Sequence, residues 1–231
     1  MIKALVGLVV LLVVALVADR VGVEYAEQRV ATQLQEELAL SAPPGVEING
    51  FPVLTQAVAG RYDDVRLTLS EADLGELSGL DVVVGLEGLH LPLSELFSEN
   101  VEAVPVDRVE GTVSVPYAEV AAQIGEGVAV ANGPDGVVVT QTLEVLGQDV
   151  EVSGTGQLLV AGPDEIGVTV VGLSLAGVEI PDFLIEQLQD QLSFVYIVPP
   201  LPFGLQITEV VATDGGFDIS AAAEDTVLEP I

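Results

Sequence analysis

The sequence predicts an α+β protein in which antiparallel β-strands follow an N-terminal helix, and three observations predict this class. The first 18 residues are almost entirely apolar, and residues 19–40 repeat apolar side chains at helical spacing. From residue 46 onward, most segments alternate apolar and polar residues, as half-buried strands do. Turn sequences rich in Gly, Pro and Asp separate these segments, which favours strands that return directly beside one another.

The N-terminal segment is predicted to be an export signal or a membrane anchor. Lys3 is followed by residues 4–18, none of which has a polar side chain. As a helix this run spans about 22 Å, and a bilayer core is about 30 Å thick. The cleavage site is poor, because Leu16 stands where a small residue is needed and Asp19 and Arg20 follow directly. A signal-anchor at the outer face of the cytoplasmic membrane is therefore favoured over a cleaved signal peptide and secretion into the cell envelope.

Residues 19–42 are predicted to form an amphipathic helix that leads into the domain. Val23, Val30 and Leu34 recur at the spacing of one helix face, and glutamate and glutamine occupy the other. The helix follows the apolar segment without a break, so the two are expected to form one rod. Ser-Ala-Pro-Pro-Gly at residues 41–45 ends it. Its acidic polar face favours packing on the folded domain over lying on a membrane surface.

Residues 43–223 are predicted to form a β-rich domain, followed by a frayed tail over residues 224–231. Strands are predicted over residues 65–69, 80–93, 106–115, 137–146, 150–160, 166–175, 205–212 and 217–223. The turns around Gly147 and Gly162 predict a meander of consecutive antiparallel strands. Short helices are predicted over residues 93–100, 116–124 and 181–194.

Aliphatic side chains dominate the predicted interior, since the chain has 6 Phe, 4 Tyr and no Trp. The helix predicted over residues 181–194 has an apolar stripe made of Phe183, Leu184, Leu188 and Leu192. Aliphatic walls suit ordinary packing, and they also suit a cavity that holds acyl chains without directional contacts. Composition leaves both interpretations open.

The charge balance and the absence of cysteine exclude several classes of protein. The chain has 36 acidic and 6 basic residues, a net charge of -30, so it lacks the basic surface that nucleic acid requires. Without cysteine it has neither disulfides nor a lipid-modified cysteine anchor. The acidity fits a saline or alkaline habitat, or the capture of cations or a basic partner. The acidic residues are scattered along the chain, which favours the first interpretation.

No catalytic residue, metal site or cofactor is predicted. His90 is the only histidine and lies between leucines in a predicted strand, which is typical of a structural position. Asp63 and Asp64 are adjacent on a strand and therefore point to opposite faces, which argues against a joint acid–base role. Asp135 and Asp164 lie in Pro-Asp turns, where turn geometry accounts for them and weak calcium binding is the alternative.

Two of the six cations lie close together in residues 49–68. Arg61 and Arg66 could receive an anionic lipid headgroup through bidentate contacts. The alternative is local pairing with Asp63 and Asp64, which lie between them. The sequence favours this local pairing.

The same segment resembles the signature of the actinobacterial LmeA family of phospholipid-binding proteins. The resemblance lies in Gly-Phe-Pro-x-Leu-Thr-Gln at residues 50–56 and Gly-Arg-Tyr-Asp-x-Val at residues 60–65. It extends to the N-terminal apolar segment and the helix after it, to the break at residues 41–44, and to Pro-Pro-Leu-Pro-Phe-Gly-Leu at residues 199–205. The block over residues 50–65 is too long to arise from strand patterning alone.

This resemblance implies a cell-envelope protein that binds phospholipids, phosphoinositides among them, and supports assembly of envelope lipids or of lipoglycans such as lipomannan. It also implies a fold like that of the tubular lipid-binding (TULIP) proteins. In that fold a long, curved antiparallel sheet wraps around one or two amphipathic helices and leaves an apolar channel between them. The resemblance carries over no catalytic residue and no cofactor.

The resulting hypothesis is a non-enzymatic lipid carrier or chaperone tethered to the membrane by its N-terminal helix. Acyl chains are expected to lie on an apolar sheet face and on the helix over residues 181–194, with the headgroup at a polar mouth. The predicted lipid contacts are Phe51, Leu54, Arg61, Tyr62, Arg66, Phe183, Leu184, Leu188, Leu192 and Phe203. At a net charge of -30, binding to anionic lipid is expected to need high salt or divalent ions. The alternative is an extracytoplasmic structural or interaction module with a filled core and no ligand.

Overall fold

The computed structural model describes the backbone of most of the chain. The described residues are 2–37, 39–74, 77–92, 103–145, 148–175, 178–179, 194–198 and 201–228. Within these ranges, the side chains of residues 2–18, 37, 74, 143–145, 148–149, 178–179 and 194 are outside the description. The helices predicted over residues 93–100 and 181–194 lie outside the described residues, and so do Phe183, Leu184, Leu188 and Leu192.

The chain divides into two compact units, each assembled from separate stretches of sequence. The first unit comprises Met1–Leu69, Val83–Glu110 and Ala223–Ile231. The second unit comprises Ser70–Val82 and Gly111–Ala222. Most described residues are in antiparallel strands, with three helices of four residues or more among them, so the predicted α+β class is confirmed.

The first unit begins with one long helix, α1, over Ile2–Glu37. The apolar segment and the predicted amphipathic helix are therefore a single backbone helix. No helix among the described residues has the length and hydropathy that a membrane crossing requires. Strand β1 (Gly45–Asn49) and the short helix α2 (Val53–Ala59) follow. The side chain of Glu27 on α1 accepts a hydrogen bond from the backbone N–H of Ile48 at 2.8 Å, which holds α1 against β1.

The strands form two sheets. The first sheet contains β1 and five further strands: β2 (Arg61–Leu74), β3 (Leu77–His90), β4 (Val104–Pro116), β11 (Gln206–Ala212) and β12 (Gly216–Leu228). Their order across the sheet is β1-β2-β3-β4-β12-β11. The second sheet contains β5 (Val128–Gly133), β6 (Gly136–Val145), β7 (Gln148–Gly162), β8 (Glu165–Leu175), β9 (Val178–Glu179) and β10 (Phe194–Ile197). Their order across the sheet is β10-β8-β7-β6-β5, and β9 pairs with β8.

The consecutive antiparallel pairs from β5 to β8 confirm the predicted meander. The chain leaves the first sheet at the end of β4, where Pro116 stands at the N-cap of helix α3 (Tyr117–Ile124). The next strand, β5, belongs to the second sheet. A short 3-10 turn over Pro202–Gly204 precedes β11.

Aromatic packing fixes the core of the second unit. The rings of Tyr117 and Phe217 meet edge to face with centroids 5.0 Å apart and planes at 88°, and Val137 completes the buried cluster. The Tyr117 hydroxyl donates to the carbonyl of Thr213 at 2.7 Å, which satisfies its polar atom inside this core.

Candidate functional site

The signature segment over residues 50–65 is built around the buried side chain of Gln56. Its Nε2 donates to the carbonyl of Asn49 at 3.2 Å, and its Oε1 accepts from the backbone N–H of Asp63 at 2.8 Å. Gly50 has a φ of 99°, and a Cβ there would collide with the Gln56 amide. The Gln56 side chain therefore connects α2 to the end of β1 and the start of β2, and Gly50 leaves the space that its amide occupies.

The N-terminus of α2 is capped from a distant helix. Pro52 stands at the cap position and supplies no side-chain hydrogen bond. Asp19 of α1 is only 2% exposed, and its Oδ1 accepts the N–H of Leu54 at 2.7 Å. At the other end, Gly60 adopts a φ of 70° and ends the helix in the left-handed conformation that glycine favours. The block thus fixes the position of a seven-residue helix that would be unstable alone.

Arg61 belongs to an ion-pair cluster on the surface of the first unit. Its guanidinium lies 2.6 Å from Oδ2 of Asp107 and 3.1 Å from Oδ1 of Asp63. The other Asp107 oxygen lies 2.9 Å from Nε2 of His90. Gly88 leaves the space for this carboxylate, since a Cβ there would collide with it. Arg61 is therefore paired with Asp63, as the second interpretation of the sequence expected, and more closely with Asp107, which the sequence did not indicate.

The cluster lowers the pKa of Asp107, chiefly through the hydrogen bond from Arg61 and then through that from His90. Because the folded pKa lies below the unfolded one, the stabilisation is fully present above about pH 4 and is lost as pH falls through the lowered pKa. We expect Asp107→Asn to lower the urea midpoint at neutral pH and to match the wild type in strong acid. A midpoint difference that is the same at every pH would contradict this assignment.

The structure does not bring the other predicted lipid contacts of this segment together with Arg61 into one headgroup site. Arg66 is exposed on β2 opposite Glu47 of β1, and it is five residues from Arg61, so in a regular strand the two point to opposite faces. Tyr62 is buried, and burial raises the pKa of its hydroxyl. Phe51 and Leu54 are largely exposed. Their part in lipid binding stays a prediction.

The block at the other end of the resemblance also builds a turn, in the second unit. The N–H groups of Val198 and Ile207 donate to the carbonyls of Asp164 and Pro163, at 2.8 and 2.7 Å. These two bonds hold the chain on either side of the 3-10 turn against the hairpin between β7 and β8. Phe203 lies in that turn with a φ of 58° and is 36% exposed.

The second sheet presents one face that is almost wholly apolar. Paired residues of neighbouring strands lie on the same face, so the register defines this surface. Its apolar side chains on β5 to β8 are Val128, Val130, Val137, Val139, Val150, Val152, Leu158, Val160, Ile166, Val168, Val170, Leu173 and Leu175, and its polar ones are Asn132 and Gln141. The opposite face carries Thr140, Ser153, Thr155, Gln157, Thr169 and Ser174, with fewer apolar residues. We call the first surface the apolar face.

Two glycines lie in the middle of the apolar face. Gly154 pairs with Val139 and Leu173, and Gly156 pairs with Val137 and Val170. Both lack a side chain that would fill the space between the flanking aliphatic groups. Between Val152 and Leu158, the middle of β7 is therefore a trough walled by the side chains of β6 and β8.

The apolar face is covered at one end and opens toward the other. Leu158 and Val130 pack on the core cluster of Tyr117 and Phe217. An open pocket of about 360 Å³ follows, lined by Asp135, Gly136, Val137, Gly156, Gln157, Leu158, Val210, Val211 and Ala212. Beyond it the face is only half-buried by the described residues, and Leu175 is 50% exposed. The apolar face is thus a surface that hydrocarbon chains fit, with polar groups at one side of its pocket.

A large exposed apolar surface marks an interaction site or a ligand-binding groove. Comparison with family models identifies the class directly, because the model of LmeA-like phospholipid-binding proteins matches residues 17–222. The chain belongs to this family. No curated protein and no solved structure matches it.

Sequence reasoning missed the residues that act over long separations. Asp19 and Leu54 are 35 positions apart, and Arg61 and Asp107 are 46 apart. Nothing in the local pattern marks Asp19 as a cap or Asp107 as the partner of His90. Gln56 was visible within the signature, but only the tertiary structure shows that both ends of its amide are used.

Proposed function

We propose that this protein is a non-enzymatic phospholipid carrier of the cell envelope that holds acyl chains on the apolar face of its second sheet. The observation that carries the proposal is the glycine trough at Gly154 and Gly156 within a continuous aliphatic surface. Membership in a phospholipid-binding family supports the class of ligand. The headgroup would lie toward the polar residues at the pocket, Asp135 and Gln157.

The energetics suit a carrier. Each buried methylene contributes about 0.8 kcal/mol, so ten methylenes in the trough would supply about 8 kcal/mol before the cost of ordering the lipid. Aliphatic walls make no directional demands, so different acyl chains would fit. The surface therefore selects a chemical class of ligand, and the headgroup contacts would select among phospholipids.

We extend the proposal to the location, the complete fold, and the cargo and biological role of the protein. The N-terminal apolar run would hold the protein on the outer face of the cytoplasmic membrane, close to its lipid supply. The complete fold would be TULIP-like, with a curved antiparallel sheet and an apolar lipid channel. The cargo would include phosphoinositides, and the biological role would be assembly or transport of envelope lipids or lipoglycans.

The trough offers a direct test by substitution. In Gly154→Leu, a new side chain enters the trough, and its Cβ would lie at an ordinary contact distance of 3.5 Å from Leu173 Cδ2. Displacing two methylenes of a bound lipid costs about 1.6 kcal/mol. We therefore expect phospholipid affinity to fall about tenfold. Native mass spectrometry of the full chain titrated with phosphatidylcholine measures this affinity.

Thr155→Leu is the matched control. It adds an aliphatic side chain at the neighbouring position of the same strand, on the opposite face of the sheet. We expect it to bind lipid as the wild type does. Equal affinity of all three proteins would show that lipid does not occupy the trough, and absence of lipid from the wild type would exclude the carrier function.

A further inference from the structure

Exposed apolar side chains gather where α1 meets α2 in the first unit. Val21 and Tyr25 are one helical turn apart on α1, and Leu54 and Val58 are one turn apart on α2. Together with Phe51 these side chains are between 47% and 80% exposed, Val58 the most. Single exposed apolar residues are ordinary, but four on two adjoining helices, with Phe51 just before the second helix, indicate an interaction surface.

Two contacts between α1 and α2 fix how far this surface lies from the apolar N-terminal run, measured along α1. Asp19, which directly follows that run, holds the N–H of Leu54, and Gly22 lies against the Leu54 side chain. At 1.5 Å per residue, Val21 and Tyr25 lie about 4 to 10 Å beyond Ala18 along α1. The headgroup layer of a bilayer is about 5 to 8 Å deep on each side. If residues 4–18 occupy the hydrocarbon core, Val21 and the N-terminus of α2 lie at the level of the headgroups, and Tyr25 lies at their outer edge.

The charge of the segment suits the same location. Residues 50–60 contain no charged side chain, although the chain as a whole carries 42 charged residues, 36 of them acidic. A strongly acidic surface avoids anionic lipid, and an uncharged apolar one does not. Tyrosine, present here as Tyr25, is enriched at the membrane–water interface.

We propose that α2, together with Val21 and Tyr25 of α1, docks on the phospholipid bilayer in the headgroup layer beside the N-terminal anchor. This inference rests on the proposed function, because it uses the anchor assigned there to residues 4–18. It adds a second contact with the membrane, one that is rigidly tied to the domain through Asp19. A tether alone leaves the domain free to tumble, and this contact restricts its orientation on the membrane.

The chain has no cysteine, so one introduced cysteine accepts a single environment-sensitive fluorophore. We would label full-length Val58→Cys and, as a control, Val227→Cys, which is also exposed and in the first unit. Both proteins are reconstituted into neutral phosphatidylcholine vesicles, with quenching lipids that carry nitroxide near the headgroup. We expect blue-shifted, strongly quenched emission from position 58 and water-like, weakly quenched emission from position 227.

A second variant separates the docking contact from the anchor. Tyr25→Asp in the labelled Val58→Cys protein places a charge on the same surface, and we expect quenching at position 58 to fall toward the level of the control. Water-like emission from position 58 in vesicles that carry the protein would overturn the docking proposal, and would leave the surface for a protein partner. Failure of the chain to float with vesicles would overturn the anchor and the docking together.

Lipid carriage is read independently of docking. The same labelled proteins are titrated with phosphatidylcholine and examined by native mass spectrometry in detergent, where no bilayer is present. Retained lipid without quenching at position 58 contradicts docking alone, and quenching without retained lipid contradicts the carrier function alone.

Discussion

Replacing Gln56 with alanine is expected to lower the free energy of unfolding by about 2 to 3 kcal/mol. The change removes a buried side chain and leaves the carbonyl of Asn49 and the N–H of Asp63 without their partner. It also releases the constraint that holds Gly50 at positive φ next to the amide. Urea denaturation followed by circular dichroism measures the difference.

The control for Gln56 lies on the same helix. Val58 is 80% exposed, so Val58→Ala should change stability by no more than about 0.5 kcal/mol. If Gln56→Ala lowered the free energy of unfolding as little as Val58→Ala, the Gln56 amide would not stabilise the segment. The signature would then need an explanation in terms of ligand binding alone.

The second large effect is expected at Gly216, where the chain enters β12. A Cβ at this position would collide with the carbonyl oxygen of Val115 and would lie 2.9 Å from Cα of Pro116, and both are backbone atoms that cannot turn aside. The neighbouring Phe217 is part of the core and restrains any shift. We therefore expect Gly216→Ala to cost about 3 kcal/mol, measured by thermal and urea unfolding.

Gly215 provides a matched control for this prediction, since it is in the same turn and a Cβ there would meet nothing within 4 Å. Gly215→Ala should stay within about 0.5 kcal/mol of the wild type. Similar losses at both positions would show that the turn itself, and not the close approach to Val115, sets the cost.

Much of the fold could be predicted because its causes are local. The alternation of apolar and polar residues and the turns at Gly147 and Gly162 predicted the meander, and Pro116 predicted the start of α3. The division into two sheets could not be predicted in this way. It depends on β4 pairing with β12, about a hundred residues later, and local pattern does not specify such a partner.

The apolar face illustrates a second limit. The register of β7 and β8 shifts between Thr155 and Gly156, so Val171 is an extra residue in β8. This bulge places Val168, Val170 and Leu173 on one face, although strict alternation would put Leu173 opposite the other two. From sequence alone β8 therefore has apolar residues on both faces, and the continuous surface becomes visible only with the strand pairing.

The signature segment was recognised from sequence, but its residues prove to have two kinds of role. Gly50, Gln56 and Gly60 shape the backbone and fix α2. Phe51 and Leu54 stay exposed on the surface that this scaffold holds. A motif shows which residues belong together, and only their contacts show which of them are free to meet a ligand.

The most direct test of the central claim locates the lipid on the protein. Phosphatidylcholine with a photoreactive acyl chain is bound to the full chain and crosslinked, and the chain is cleaved after glutamate. Cuts after Glu151, Glu165 and Glu179 release residues 152–165 and 166–179, which together carry β7 and β8 of the apolar face. We predict adducts in these two peptides, on Val152, Leu158, Val168, Val170, Leu173 or Leu175. Lipid that binds but crosslinks only elsewhere, or only to Ser153, Thr155 and Thr169 of the opposite face, would contradict the account.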